Sequence, residues 1–366
     1  MKPIIIIDEH IPYIKGILDE VASVVYMPGR QINAAVVKEA DALIIRTRTQ
    51  CDASLLEGSR VRFIATATIG YDHIDVSYCK QKGIRWTNAP GCNSSSVRQY
   101  ILAALLLYSR EKSYCLSGKV LGVIGVGHVG KKVAEVATLL GMKVLLNDPP
   151  RSDAEGSAGF TDLQTIAGEA DIISIHTPLI HSGPYPTFHL LDTAFFDSLQ
   201  RKPLIINTSR GESIATDALK YASINNRISD MIIDCWENEP SPDPFILEHA
   251  FIATPHIAGY SVEGKVNGTQ MSLDALYGFF KMKGLQPIIS VPKPYDTLID
   301  YNSLTHVVLR TYNPFLDSMH LKRSPDDFEY LRENYPLRRE PIAYNVINVP
   351  LSDRLILQSV GFNLCE

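Results

Sequence analysis

The stretch that most restricts the fold is glycine-rich and reads GVIGVGHVGKKVAEVATLLGMKVLLND over residues 122–148. Gly125, Gly127 and Gly130 follow an apolar run and open an amphipathic segment, and a second apolar run ends before Asp148. A strand, a tight glycine turn, a helix and a second strand, in this order, begin a parallel, doubly wound sheet. We therefore expect the chain to contain a Rossmann-like domain.

The same stretch predicts a dinucleotide site. Gly125 and Gly127 allow a tight turn and a close approach to a pyrophosphate, and Gly130 lets the helix pack on the strand. The helix N-terminus supplies N–H groups and partial positive charge for the phosphates. Asp148 lies 148 − 125 = 23 residues after Gly125, near the spacing of about 20 expected for the ribose ligand. The Asp148 carboxylate favours NAD over NADP, because it would repel a 2′-phosphate, although the nearby Arg151 could accommodate one. The alternative interpretation of the whole motif is a glycine turn that binds no nucleotide.

Apolar runs alternate with amphipathic stretches in two series, which is typical of parallel strands covered by helices on both faces. We predict helices over 11–21 and 32–40 in the first series, and two long helices over 93–112 and about 260–283. The predicted strands are IIIID, ALIIR and VRFIAT in the first series and KVLGVIGV, MKVLLND, DIISIHTP, PLIINTS, DMIIDCW and FIATPHI in the second.

The long helices mark the boundaries of a discontinuous first domain. We predict that residues 1–95 and 258–285 form one domain, 96–257 a second that binds NAD, and 286–366 a small third. The third begins at a proline-rich linker and contains a helix that Ser324 caps. The predicted fold class is α/β, with two doubly wound Rossmann-like domains and a small C-terminal α+β domain.

Composition narrows the class of protein. The net charge of −5, without a basic run, argues against nucleic-acid binding, and no apolar stretch approaches the roughly 20 residues of a membrane span. The six cysteines are scattered, without a C-x-x-C pair or metal-ligand spacing. We expect a cytoplasmic protein without a metal.

Three chemically useful residues follow predicted strands: Arg210, Glu239 and His256. Ligands of open α/β sheets bind at the carboxyl ends of the strands. A guanidinium can grip a substrate carboxylate, an imidazole can exchange the proton of a hydroxyl, and a carboxylate can orient that imidazole. Taken singly, each of the three could be an ordinary surface or loop residue.

The motifs SRGE (209–212), DCWENEP (234–240) and TPHIAGYS (254–261), placed after the glycine loop, resemble those of the D-isomer-specific 2-hydroxyacid dehydrogenases. The resemblance covers about residues 1–285. It implies that Arg210, Glu239 and His256 are the catalytic residues. It also implies that NAD is surrounded by Gly125, Gly127, His128, Val129, Gly130, Asp148, Thr177, Thr208, Ser209, Arg210, Asp234 and Gly259.

Finer stretches, among them HTPLIHSGPYPTFHL (176–190) and HIAGYSVEGKVNGT (256–269), resemble one member of that family, whose substrate is a small phosphorylated hydroxy acid. This resemblance implies substrate contacts at Thr47, Thr68 and Tyr260. The tail FEYLRENYPLRRE (328–340) resembles the dimerisation domain of that member and implies a homodimer.

Other candidates have simpler interpretations. We expect His73 to be structural, His176 to orient its loop, Cys92 to be a packed residue, and the LRR run at 337–339 to be a solvated or interfacial charge cluster. Arg46 and Arg48 are attractive phosphate ligands, of which at most one is expected to serve. Two alternatives stay open: another 2-hydroxyacid dehydrogenase, such as one acting on 3-phosphoglycerate, and an NAD-sensing module that acts through partners.

Overall fold

The computed structural model of the chain describes residues 2–282, 287–291, 294 and 296–365. It divides into two compact units, Met1–Asn93 with Ser261–Pro292, and Ser94–Tyr260 with Lys293–Glu366. The predicted domain boundary at 285/286 lies outside the described residues, and a separate third domain stays a prediction. Within the described ranges, no helix has the length and apolar character needed to cross a membrane.

The first unit contains a five-stranded parallel sheet in the order β2-β1-β3-β4-β5. Three of these strands coincide with predicted apolar runs, whereas β2 and β5, which contain no fully buried residue, were not predicted. The strands are β1 Ile4–Asp8, β2 Ser23–Met27, β3 Ala42–Ile45, β4 Phe63–Thr66 and β5 Arg85–Thr87; the helices are Ala34–Val37, Ala53–Leu56, Val76–Lys82 and Val262–Phe280.

The predicted helix over 11–21 is wrong, because this segment forms a series of turns. Pro12 has no amide hydrogen to donate, and Tyr13 and Gly16 have left-handed backbones, with φ of 60° and 82°. The prediction over 32–40 is too long, since only Ala34–Val37 is helical, capped by the Asn33 side chain.

The second unit contains a six-stranded parallel sheet in the order β11-β10-β9-β8-β6-β7. All six strands were predicted, since each is a nearly continuous apolar run. The strands are β6 Val120–Ile124, β7 Lys143–Asn147, β8 Ile172–Ile175, β9 Leu204–Asn207, β10 Asp230–Ile233 and β11 Ile252–Ala253; the helices are Ser94–Glu111, His128–Leu139, Pro149–Glu155, Leu163–Glu169, Thr193–Ser198, Thr216–Ile224 and Pro244–His249. Together with the first sheet, this confirms the α/β class with parallel, Rossmann-like sheets.

The helix Ser94–Glu111 is the centre of the second unit's core. Its residues from Gln99 to Tyr108 are all buried, which is typical of a helix that is covered on every side. Residues packed in the same core include Val133 of the helix His128–Leu139 and Val307 and Leu357 near the C-terminus. This helix therefore packs against both the C-terminal segment and the six-stranded sheet in one hydrophobic core.

The C-terminal part of the second unit contains a three-stranded parallel sheet in the order β12-β13-β14. The strands are β12 Leu298–Asp300, β13 Asn345–Ile347 and β14 Asn363–Leu364, and the helices are Leu304–Thr311, Pro314–Arg323, Phe328–Glu333 and Leu351–Val360. The prediction that the Ser324 side chain caps an α-helix is wrong. A 3₁₀ turn, Pro325–Asp327, follows Ser324, without a capping bond from the Ser324 side chain.

Candidate active site

The glycine loop after β6 needs glycine at two positions. Gly125 has a left-handed backbone with φ of 86°, and a Cβ there would lie 2.8 Å from the carbonyl oxygen of His176. A Cβ on Gly130 would lie 2.0 Å from the carbonyl oxygen of Gly125. A Cβ on Gly127 would instead meet open space. The loop is thus tightly packed on the protein side and open at Gly127, where a pyrophosphate would approach.

The surroundings of this loop fit NAD. The helix His128–Leu139 starts directly after Gly127, and no side chain caps its first turn, so the amides of His128, Val129 and Gly130 point to where phosphates bind. In the part of the chain that the structure describes, the buried hydroxyl oxygen of Thr177 has no hydrogen-bond partner. A buried, unsatisfied hydroxyl is costly unless a ligand completes it.

Asp148 follows β7 beside the same loop. Its carboxylate accepts hydrogen bonds from the amides of Val126, at 2.8 Å, and Arg151, at 3.2 Å. Arg151 pairs with Glu155 at 2.5 Å and donates to the carbonyl of Val126 at 2.7 Å. The Arg151 guanidinium, which could have favoured NADP, is therefore already bonded to Glu155 and to the Val126 carbonyl. The Asp148 carboxylate can still accept a hydrogen bond from a ribose hydroxyl.

The turn after β9 is held by Asn207, a residue that the sequence analysis did not single out. Its side-chain oxygen accepts from the amide and the hydroxyl of Ser209, at 3.1 and 3.0 Å, and its side-chain nitrogen donates to the carbonyl of Arg210 at 2.9 Å. The Arg210 guanidinium also donates to the Ser209 carbonyl at 2.9 Å. These bonds place Thr208 and Arg210 at the end of the sheet.

His176 connects two strand ends. Its Nε2 lies 2.9 Å from the hydroxyl of Ser174, and its Nδ1 lies 3.5 Å from the hydroxyl of Thr208. Burial lowers the pKa of His176 to about 3, because a low-dielectric environment disfavours the charged imidazolium. The ring is therefore neutral near neutral pH and links the loop before Thr177 to the turn at Thr208.

Asp234, at the end of β10, holds the loop that carries His256. Its buried carboxylate accepts from the Thr254 hydroxyl at 2.6 Å and from the amides of Ile257 and Ala258 at 2.8 and 2.9 Å. Burial raises the pKa of Asp234, and this effect outweighs the charge of His256 and these hydrogen bonds, which lower it. Gly259 follows directly after the two amides that Asp234 anchors.

His256 and Glu239 form a hydrogen-bonded pair. Nδ1 of His256 lies 2.8 Å from Oε1 and 2.9 Å from Oε2 of Glu239, and the amide of Trp236 donates to Oε1 at 3.0 Å. Burial alone would raise the pKa of Glu239, but the charges of His256 and Arg332 and these hydrogen bonds hold it below its usual value. Glu239 is therefore an ionised acceptor, and we call this pair the dyad.

The backbone of His256 is left-handed, with φ of 56°, a conformation that is uncommon for residues other than glycine. Its amide donates to the carbonyl of Asp234 at 2.8 Å. Asp234, whose side chain anchors the loop, therefore also stabilises this unusual backbone conformation. Strained backbone of this kind is concentrated at functional sites. The finding agrees with a role that depends on the direction of the His256 ring.

The thiol of Cys235 lies beside the dyad, and its sulfur, a His256 nitrogen and a Glu239 oxygen are all within 4.8 Å of one another. The S–H group donates to the Ser209 carbonyl at 3.3 Å, and burial raises the pKa of the thiol well above its usual value. Because metals bind the thiolate, this group is a poor metal site.

Tyr260 and the dyad meet a residue from the C-terminal segment that the sequence analysis missed. Arg332 donates from Nε to the Tyr260 hydroxyl at 3.0 Å and from Nη1 to Oε2 of Glu239 at 3.2 Å. The sequence gives only a weak signal for Arg332, which follows an apolar residue in the short helix Phe328–Glu333.

The interpretation of the LRR run as a solvated or interfacial charge cluster is wrong for Arg338. Its side chain is buried, with the guanidinium 4.2 Å from the Tyr312 ring centre and 2.6 Å from the Ala258 carbonyl oxygen. Aromatic faces stabilise a buried guanidinium, and this arrangement of distant residues leaves no pattern in the local sequence.

Two of the predicted substrate contacts, Thr47 and Thr68, belong to the first unit. Thr47 is exposed after β3, and Arg46 beside it is bonded to Asp8, with 3.0 Å between Nε and Oδ2. The Thr68 hydroxyl lies 2.7 Å from that of Thr66, which lies 3.1 Å from Nε2 of His73. His73 and Cys92 are both buried, and a structural role for His73 stays a prediction.

Comparison with known proteins decides the family. The NAD-binding domain of the D-isomer-specific 2-hydroxyacid dehydrogenases matches residues 102–258. The curated erythronate-4-phosphate dehydrogenase of Bacteroides thetaiotaomicron is 53% identical over 346 residues, covering 94% of this chain and 99% of that protein. The chain belongs to the erythronate-4-phosphate dehydrogenase family. Membership confirms the predicted NAD-dependent oxidoreductase class.

Solved structures of related dehydrogenases share the fold of this chain. The NAD-bound 3-phosphoglycerate dehydrogenase of Entamoeba histolytica is 25% identical, with a TM-score of 0.65, over 77% of this chain and 96% of its own. The Aquifex aeolicus D-lactate dehydrogenase, complexed with NAD and lactic acid, is also 25% identical, with a TM-score of 0.63, over 76% and 95%. The architecture is therefore that of NAD-binding hydroxyacid dehydrogenases.

Proposed function

We propose that the chain oxidises the 2-hydroxyl of 4-phospho-D-erythronate with NAD, forming (R)-3-hydroxy-2-oxo-4-phosphooxybutanoate, a step of pyridoxal 5′-phosphate biosynthesis. The observation that carries the proposal is the His256–Glu239 pair in a chain that is 53% identical to a curated enzyme of this name. The finer sequence resemblances favour the same substrate.

The dyad supplies the proton chemistry. Because ionised Glu239 only accepts hydrogen bonds, Nδ1 of His256 is the donor in the pair, which leaves the Nε2 lone pair to take the substrate hydroxyl proton. A bound NAD would supply the hydride acceptor for the carbon atom that carries this hydroxyl. Developing positive charge on the imidazole is stabilised by the Glu239 carboxylate.

Arg210 is proposed to hold the substrate carboxylate. Its guanidinium offers a planar pair of donors that matches a carboxylate, and the Asn207 side chain fixes the backbone of this arginine through its carbonyl. From the resemblance alone, Thr47, Thr68 and Tyr260 are assigned to the substrate's oxygen atoms, and the NAD contacts named above to the dinucleotide. Hydroxyl side chains suit a polyhydroxy acid.

The experiment that tests this function follows NADH absorbance with purified protein, NAD and 4-phospho-D-erythronate, with a trap for the oxo acid. A parallel reaction contains 3-phosphoglycerate, and His256→Asn is the inactive control. Selective turnover of the four-carbon acid supports the proposal. Turnover of 3-phosphoglycerate alone would assign a different substrate, and NAD binding without turnover of either acid would favour the sensor alternative.

We further propose that the chain is a cytoplasmic homodimer joined through residues 286–366. All six cysteines are free thiols, which is usual in a reducing compartment. Several apolar side chains near the C-terminus are exposed, including Leu337 at 78%, Leu351 at 85% and Leu355 at 63%. Exposed apolar groups of this kind mark interaction surfaces. Light scattering of the wild type and of Leu351→Asp with Leu355→Asp tests the dimer, which the double variant should weaken.

A further inference from the structure

Arg332 connects the C-terminal segment with two parts of the candidate active site. Its Nη1 lies 3.2 Å from Oε2 of Glu239, on the carboxylate that also accepts from His256, and its Nε lies 3.0 Å from the Tyr260 hydroxyl. Only 17% of the Arg332 side chain is exposed. One guanidinium therefore spans the dyad and the proposed substrate tyrosine.

The charge of Arg332 is permanent in this environment. Burial opposes it, but the Tyr260 hydroxyl and the Glu239 carboxylate outweigh burial and raise the pKa of Arg332 above its usual value. Burial raises the pKa of Glu239, and His256 and then the positive charge of Arg332 lower it, so that it lies below its usual value. The Glu239 carboxylate thus accepts hydrogen bonds from two groups, the guanidinium of Arg332 and the imidazole of His256.

Tertiary contacts hold the segment that carries Arg332 close to the dyad loop. The Tyr335 hydroxyl donates to Asp317 at 2.8 Å, and the Tyr335 ring packs edge-on against Tyr260 with 6.0 Å between centres. Six residues beyond Arg332, Arg338 donates to the Ala258 carbonyl at 2.6 Å. The guanidinium of Arg332 is therefore held on a braced segment, which a positioning role requires.

We propose that Arg332 is a positioning residue of the dehydrogenation: it fixes the Glu239 carboxylate and the Tyr260 hydroxyl, and it limits how firmly Glu239 keeps a proton on the dyad. A carboxylate paired with the imidazole alone would hold the imidazolium strongly. A general base must be unprotonated before it can accept the substrate proton. By sharing the carboxylate, Arg332 weakens the hold of Glu239 on that proton, so that the dyad acts more readily as a base.

The kinetic test, which rests on the proposed function, compares Arg332→Gln, Arg332→Lys and the control Arg323→Gln. Arg323 is an exposed arginine of the same segment, so the control removes the same charge elsewhere. Arg332→Gln should lower kcat/KM by about 10- to 100-fold, the range for losing a hydrogen bond between charged groups, and shift the rising limb of its pH profile to higher pH. Arg332→Lys, which keeps the charge but cannot span both partners, should restore the pH profile more than the rate.

A second readout needs no substrate. The ring signals of His256, assigned with His256→Gln, are followed by NMR against pH in the NAD complex of each variant. We expect the titration of the dyad to move to higher pH in Arg332→Gln and to stay at the wild-type position in Arg323→Gln. The charged and titratable groups around the ring in this test are Glu239, Asp234, Arg332 and the Cys235 thiol.

The kinetic and NMR results together distinguish a positioning role of Arg332 from a purely structural one. Unchanged titration and kinetics in a folded Arg332→Gln protein would overturn the inference. An activity loss that is equal at every pH and follows a lower melting temperature, with no change in titration, would make Arg332 merely structural and also overturn it. If the wild type does not oxidise 4-phospho-D-erythronate, the proposed function fails, whereas the NMR titration still decides the role of Arg332.

Discussion

Nδ1 of His256 lies 2.8 Å from Oε1 of Glu239, and this bond determines which imidazole nitrogen is free to exchange a proton. The loop around the pair is anchored from behind by Asp234, whose carboxylate binds the amides of Ile257 and Ala258. The direction of the ring is therefore set by two acidic residues from the region after β10.

Glu239→Gln should lower kcat by about 100-fold, at the lower end of the contribution of acid–base groups, because the amide cannot stabilise a positive imidazole. The dissociation constant of NAD should not change. Steady-state kinetics and NADH fluorescence titration measure the two quantities. The matched control is Glu237→Gln, which alters a separate pair, in which Glu237 lies 2.5 Å from His189. Equal kcat in both variants would contradict the role of Glu239.

Asp148→Ala should weaken NAD binding and reduce the preference for NAD over NADP, since the carboxylate that would bind the ribose and repel a 2′-phosphate is lost. The dissociation constants of NADH and NADPH measure this change. Asp162→Ala is the control, because Asp162 caps a helix elsewhere in the same unit. It should cost about 1 kcal/mol of stability with an unchanged NADH/NADPH ratio; a ratio that is also unchanged in Asp148→Ala would refute the assignment.

A glycine-to-alanine change should disrupt NAD binding at Gly130 but stabilise the protein at Gly168. Gly130→Ala places a Cβ 2.0 Å from the Gly125 carbonyl oxygen, so it should distort the loop and abolish NAD binding. Gly168→Ala, in the helix Leu163–Glu169, has no atom within 4 Å of the new Cβ, and should stabilise the protein by about 0.5–1 kcal/mol. Calorimetric NAD titration and urea unfolding distinguish the two. NAD binding by Gly130→Ala at wild-type affinity would show that the loop is looser than the structure indicates.

His176 should make the protein less stable in acid. Its pKa is about 3 in the folded state and about 6.5 in an unfolded chain, so between these values the unfolded state binds more protons. The free energy of unfolding therefore falls as pH is lowered from about 6.5 towards 3, with uptake of about one proton. Urea unfolding at several pH values should show a shallower dependence in His176→Asn than in the exposed-site control His306→Asn. Equal slopes in these variants would contradict a His176 that is neutral in the folded protein.

Local sequence patterns account for much of the fold. Continuous apolar runs such as Val120–Ile124 and Leu204–Asn207 predict buried parallel strands, because each pattern lies within one element. The glycine loop is equally readable, since Gly125 and Gly130 are required by contacts close to the loop. The strand-end rule even groups Arg210, Glu239 and His256, because all three follow strands of one sheet.

Local patterns failed where a short segment could be stabilised in more than one way. The turns at 11–21 have the apolar spacing of a helix, but Pro12 and the left-handed Gly16 prevent one. Arg338 belongs to a run of charge and is nevertheless buried, because distant aromatic rings stabilise its guanidinium.

The sequence by itself therefore determined the class of fold, the dinucleotide loop and the chemistry of the proposed catalytic residues. Only the tertiary structure decided that Asp234 anchors the loop of His256 and that Arg332 reaches Glu239, 93 residues away in the chain. The physical reason is that a propensity or a spacing acts over a few residues. An ion pair between distant segments depends on how the core around the helix Ser94–Glu111 brings them together.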